Sequence, residues 1–166
     1  MQTQTFADDG QFPNNETLPV VLLRGALAPE EGAETYEQVF RAHEWRGQWR
    51  NGIFSYHHYH STAHEVLGIA QGSARVQLGG PSGEAFAVAA GDVVVLPAGV
   101  AHKNLGADAD FLVVGAYSDG QQWDLKRGRP EERPEADRNI ERVPLPSTDP
   151  VYGDGGPLIE HWPVSP

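Results

Sequence analysis

The hydrophobic pattern of the chain changes period along its length. Tyr36, Val39, Phe40 and His43 recur at i, i+3, i+4 and i+7, with Glu34, Glu37 and Arg41 facing away, which is the stripe of a helix of about three turns packed on one side. Thr35, followed three positions later by Gln38, is placed to form a capping box at its start. Ahead of this helix, the apolar run around Leu18 to Leu23 reads as a first strand, with Pro19 allowing only an edge or strand-start position. From Ile53 onward the period is two: Phe54, Tyr56, His58 and His60 share one face, and Glu65, Leu67 and Ile69 share another. Arg75–Leu78 and Ala85–Ala89 form a hairpin around the turn GGPSG, Val93–Leu96 is a buried strand ended by Pro97-Ala98-Gly99, and Phe111–Ala116 is the last strong strand. The total is roughly eight strands, as a jelly-roll barrel requires.

Beyond Tyr117 the alternation stops, and arginines mix with acids and prolines in RGRPEERPEADRNIERVPLP. A short helix is predicted near Glu135 to Arg142, and the rest of the charge run reads as a solvated face. The following VPLPSTDPVYGDGGPLIEHW carries Val151, Leu158 and Trp162 as anchors, so it is expected to lie extended over the barrel rather than dangle. With 166 residues and no internal repeat, the chain is read as a single domain. Residues 1–50 are a strand and helix packing on the barrel, 51–117 the core barrel, and 118–166 an extension wrapping the same domain.

Charge narrows the possible partners. A net charge of −11 with no compensating basic patch argues against nucleic acid and anionic membrane surfaces, which demand clustered Lys and Arg. The opening MQTQTFADDGQF has neither a basic segment nor an apolar one, and no apolar run approaches the ~20 residues of a membrane span. A cytoplasmic protein is expected. The chain has no cysteine, and its one methionine is Met1, so disulfides and sulfur ligands drop out.

What remains for a metal is imidazole and carboxylate. Residues two apart on a strand project together, so His58 and His60 look the same way, and Glu65 arrives on the return strand after a short polar connection. His102, on a strand further along, supplies a fourth group, and His64 is an alternative ligand if the return strand starts one residue early. Three imidazoles and a carboxylate in one barrel with nothing between them would cost about 1–3 kcal/mol for each buried unpaired group. His43 and His161 are isolated and read as ordinary histidines. Tyr56, on the face of His58 and His60, is a candidate acid or hydrogen-bond donor, against the plainer reading of a barrel-filling tyrosine. His57 and Tyr59 face the other way and are expected at the surface or an interface. Trp45 and Trp49 are read as anchors of the helix on the barrel, with a lid over the barrel mouth as the alternative.

These residues carry a family resemblance. Gly52, five residues, His58-x-His60, four residues, Glu65, six residues and Gly72 resemble the first cupin motif. Gly91, five residues, Pro97-x-Gly99, two residues and His102 resemble the second up to its last position, where Gly106 replaces the usual Asn and Asn104 is the candidate substitute. The 18 residues from Ser73 to Ala90 between them are the short spacing of small microbial cupins. HHYHSTAHEVLG, the preceding Trp49 and the late DPVYG and GPL segments are similar to the YjlB-like cupins, small single-domain proteins of uncharacterised function. The resemblance implies a double-stranded β-helix, one divalent transition metal (Fe, Mn, Ni, Zn or Co) held by His58, His60, Glu65 and His102, and a homodimer. The function expected is a metal-dependent oxygenase, isomerase or lyase. Between Ile53 and Ala116 the only cations are Arg75 and Lys103, so the expected substrate is a neutral or singly charged small molecule. A non-catalytic ligand-binding module and a purely structural metal are the alternatives.

Overall fold

In the computed structural model, which describes residues 1–163, the period-two stretches from Glu65 onward become strands of two packed sheets. In chain order the elements are β1 (Gln2–Phe6), β2 (Asn15–Leu23), α1 (Ala33–Ala42), β3 (Trp45–Asn51), β4 (Glu65–Gln71), β5 (Ser73–Leu78), β6 (Glu84–Ala89), β7 (Val93–Leu96), β8 (His102–Ala107), β9 (Leu112–Ser118), α2 (Glu135–Arg142) and α3 (Pro157–His161). One sheet has the order β1-β2-β7-β4-β9-β3 and the other β6-β5-β8, with antiparallel pairing throughout. The fold is all-β, a jelly-roll barrel of the double-stranded β-helix type. No helix among the described residues is long and apolar enough to cross a membrane.

Alternation along the central strands sorts the core into two layers. Leu67 and Ile69 of β4, Val94 and Leu96 of β7 and Val113 of β9 point inward to meet Val76 and Leu78 of β5. Their neighbours Val66, Val93, Val95, Val114 and Ala116 point outward, where Tyr36 and Phe40 of α1 cover them. The helix sits close because β4 has Gly68 beneath it: a Cβ there would lie 2.5 Å from the Tyr36 ring and 2.8 Å from that of Phe40. Tyr36 adds a polar tie, donating its hydroxyl to the Ile69 carbonyl at 2.7 Å and accepting from the Gly91 N–H at 3.1 Å.

Several expectations need correcting. The helix begins after Gly32 with no side-chain cap, and Thr35 Oγ1 donates instead to Glu31 at 3.0 Å, so there is no capping box. WRGQWRN is a strand, paired with β9, in which Trp45 is fully buried under the helix layer while Trp49 turns inward over Gly115. Residues 53–60 form no continuous strand: only His58 and Tyr59 make bridges. β1 was not anticipated; its polar QTQT carries no apolar alternation, and it is held as an edge by pairing with β2.

The C-terminal extension is packed along its length. Leu158 and Trp162 are buried in the outer layer, with Val151 half-buried beside them, and Trp162 Nε1 donates to the Pro19 carbonyl at 2.8 Å. Residues 157–161 are helical rather than extended. Arg133 binds Asp137 and, across the molecule, Asp8 at 2.9 Å, so part of the charge run is an internal tie.

Candidate metal centre

His58 and His102 face each other as an antiparallel bridge, with His102 N–H donating to the His58 carbonyl at 2.9 Å and the reverse bond at 3.2 Å. Their imidazoles therefore lie side by side, with ring centroids 4.0 Å apart. His60, two residues on, projects to the same side, and its carbonyl is fixed by the Gly99 N–H at 2.8 Å. Each ring is oriented through Nδ1, which meets the carbonyl of Tyr56 for His58 (3.0 Å), of Val100 for His102 (3.0 Å) and of Asp124 for His60. A carbonyl can only accept, so each Nδ1 carries the proton and each neutral ring turns its Nε2 lone pair inward. Nitrogens of the three rings lie within 4.8 Å of one another.

Glu65, the first residue of β4, is 2% exposed and closes one side of the group. Its two oxygens stand 3.3 Å from His60 Nε2 and 3.3 Å from His102 Nε2, and Oε1 has no hydrogen-bond partner. Carboxylate lone pairs thus face imidazole lone pairs inside the protein, an arrangement that calls for a cation between them. The fit of this set to a divalent metal rests on that orphaned oxygen and on the three oriented rings, since metal-binding histidines commonly anchor their second nitrogen on a carbonyl.

Without an ion, the same geometry sets the proton affinities. Burial and the neighbouring His102 push His58 down to about 3. For His60, burial opposes the charge but is outweighed by Glu65, which raises it. For Glu65, burial acts upward, and His60 with His102 overcomes it and holds the carboxyl well below its ordinary range.

The group forms the floor of a cavity of about 300 Å³. Its walls include Trp49, Ile53, Phe54, Leu67, Tyr117 and Trp123. Trp49 can lie there because its partner on β9 is Gly115, where a Cβ would stand 2.1 Å from the indole. Trp49 Nε1 donates to the Tyr117 hydroxyl at 3.0 Å, and burial together with the nearby Glu65 carboxylate raises the Tyr117 pKa.

Other singled-out residues lie elsewhere. Tyr56 is not among the cavity walls; its ring stacks on Phe54 at 5.0 Å and lies under the Arg127 guanidinium at 3.8 Å. His64 falls outside the group because the return strand starts at Glu65. Its Nδ1 accepts from the Ala98 N–H at 2.9 Å and its ring packs on Trp162 at 4.9 Å. Tyr59, expected at the surface, is fully buried with Phe12, Ala101 and Ala136, because the C-terminal extension covers that side. His57 is half-buried against Phe12. Asn104 Oδ1 accepts from the Gly106 N–H at 2.8 Å, a local contact within β8.

Three residues of the site escaped the sequence reading. Tyr117 continues the inward alternation of Val113 and Gly115 and was reachable by extending the last strand one step. Trp123 and Asp124 lie in a loop with no period, and nothing local marks them.

A double-stranded β-helix whose two motif segments converge three imidazoles and a glutamate on one cavity defines a cupin. The cupin family model matches residues 49–123. A relative from Bacillus subtilis (strain 168), described as uncharacterized protein YjlB, is 44% identical over 161 residues, covering 97% of this chain and 96% of the relative. The chain belongs to the cupins, in the family of that protein. Among solved structures it is similar to acireductone dioxygenase from Bacillus anthracis with a cadmium ion in the active center, at 16% identity and TM-score 0.43 over 61% of this chain and 80% of the other. It is also similar to an oxalate decarboxylase variant from Bacillus subtilis, at 18% identity and TM-score 0.40 over 70% of this chain and 29% of the other.

Proposed function

We propose that the chain is a metal-dependent enzyme in which His58, His60, His102 and Glu65 hold one divalent transition metal, and that its substrate is a small neutral or singly charged organic molecule. The observation that carries this reading is the set of three rings oriented through Nδ1 and one orphaned carboxylate oxygen, all on the floor of an accessible cavity. The donor set is nitrogen and oxygen only, which suits iron, manganese, cobalt, nickel or zinc. When bound, the ion supplies a Lewis acid with positions free for an outside ligand. That supports oxygenase, isomerase or lyase chemistry over a metal that merely staples the barrel.

The chain's own groups then have defined tasks. Glu65 supplies one negative charge to the set. Burial keeps the Tyr117 hydroxyl protonated, and with its lone pair engaged by Trp49 it is oriented to donate. The apolar walls give the non-polar part of a substrate its contact surface. The one cationic wall residue, Arg50, is engaged by Glu37 at 3.2 Å, so a multiply charged anion has no free partner there.

Elemental analysis of protein loaded with each metal in turn tests this reading. One ion per chain is expected, lost in both His60→Ala and Glu65→Gln, together with metal-dependent enhancement of water proton relaxation in the manganese form. Wild-type protein that takes up none of the five ions overturns it, as does a bound ion with no exchangeable water.

A further inference from the structure

We infer that Trp123 makes the site selective for a flat, conjugated substrate carrying a single anionic oxygen group. This rests on the metal reading above and adds the class of molecule the cavity takes. Of the six large apolar side chains exposed among the described residues, two belong to this cavity: Phe54 at 47% and Trp123 at 53%. Each stands edge-on to one of the clustered imidazoles, Phe54 5.1 Å from His58 and Trp123 5.6 Å from His60. Trp123 also lies nearly parallel to Tyr117, with an interplanar angle of 19°. Flat surfaces therefore flank the metal group on the His58 and the His60 side.

Trp123 is held in place. Asp124 accepts from the Ser61 N–H at 2.6 Å, Thr62 Oγ1 donates to the Gln122 carbonyl at 2.8 Å, and Tyr59 and Lys126 exchange backbone bonds at 2.9 Å each. Hydrogen bonds on both sides of the indole thus fix a half-exposed aromatic ring at the cavity, where its uncovered face is available to a ligand. Rings favour offset-stacked or edge-on partners, each such pair adding about 0.5–1.5 kcal/mol beyond the area it buries.

Charge sets the polar end of the ligand. A divalent ion with one carboxylate and three neutral imidazoles carries one net positive charge, which one anionic oxygen group neutralises. Among the described residues that line the cavity the one guanidinium, that of Arg50, is already paired with Glu37, so the lining offers nothing for a second anionic group. A flat body against Trp123 with one carboxylate, enolate or phenolate oxygen directed to the floor satisfies both walls and charge.

The test uses cobalt-loaded protein titrated with benzoate and with acetate, followed by the visible absorption of the metal. Benzoate is expected to bind roughly fivefold or more tightly than acetate, as one aromatic pair contributes. Trp123→Ala should bring the benzoate-to-acetate affinity ratio down to about one, and Trp123→Phe should restore most of it. Equal affinities in the wild type, no response to either carboxylate, or a preference that survives Trp123→Ala overturns the inference. Failure to bind cobalt shows before any carboxylate is added and overturns the metal reading together with this one, so the two failures are told apart.

Discussion

At the scale of single residues, the tautomer of each histidine around the site is set by what its Nδ1 meets. Where it meets a carbonyl, as in His58, His60 and His102, the proton sits on that side and Nε2 keeps a lone pair able to bind a metal where other donors converge on it; His43 has the same tautomer, set by the Pro150 carbonyl, but stands outside that group. Where it meets an N–H, as His64 meets that of Ala98, Nε2 must keep the proton and the ring is no ligand. Asp124 turns this rule into a prediction. Its carbonyl orients His60, while its carboxylate grips the N–H and hydroxyl of Ser61, so the clamp sets where the carbonyl stands. Asp124→Ala is expected to weaken metal binding by about 10–100-fold, the usual cost of losing a group that orients a ligand. Asp124→Asn, which can still accept from the Ser61 N–H, should fall between. Competition against a chelator measures both, and the cobalt absorption spectrum should shift with them. A melting temperature that drops while the metal affinity stays fixed would leave Asp124 a loop anchor only.

At the scale of elements, strands with both faces buried were legible because each face has its own apolar partner. Val93–Leu96 is bounded as its pattern predicts, and the helix at Glu135–Arg142 likewise. Elements whose pairing comes from distant chain were not. Trp45–Asn51 alternates poorly because its outer face is exposed, and its place is set by β9. The ligand residues showed in the sequence because motif spacing converts directly into strand register. Trp123 and Asp124 did not, because a loop docked by side-chain hydrogen bonds has no period. The seat of α1 on β4 offers a direct check. Gly68→Ala pushes a methyl into the rings of Tyr36 and Phe40, so the helix must lift or the rings must leave their rotamers. A loss of about 1–3 kcal/mol is expected from denaturant unfolding, with metal affinity little changed because the outer face of β4 is affected. An unchanged stability would mean that the helix slides freely on the sheet.

At the scale of the whole molecule, the buried histidines tie stability to pH in a way that distinguishes the metal-free from the loaded protein. His58, at about 3, and His64, lowered to about 4 by burial, stay neutral when folded but take a proton near 6.5 when unfolded. Their contribution is complete above 6.5 and is lost as pH falls from there toward their folded values. Each costs at most about 1.4 kcal/mol per pH unit. His60 behaves oppositely, since Glu65 raises it. Below 6.5 it is protonated in both states and adds no slope; above 6.5 its contribution is lost as pH rises through the folded value. The metal-free protein should therefore be most stable near pH 6.5, falling steeply on the acid side, where His57, also lowered by burial, adds to His58 and His64, and more gently on the alkaline side, where His60 acts. Binding of a metal replaces the His60 proton, so the loaded protein should lose the alkaline decline and keep the acid one, which metal release steepens. His64→Asn preserves an acceptor for the Ala98 N–H but cannot titrate, and should make the acid side shallower in both forms. Urea midpoints measured from pH 4.5 to pH 9 with and without metal decide the matter, and a metal-free profile that is flat between 4.5 and 6.5 would show that these imidazoles reach water.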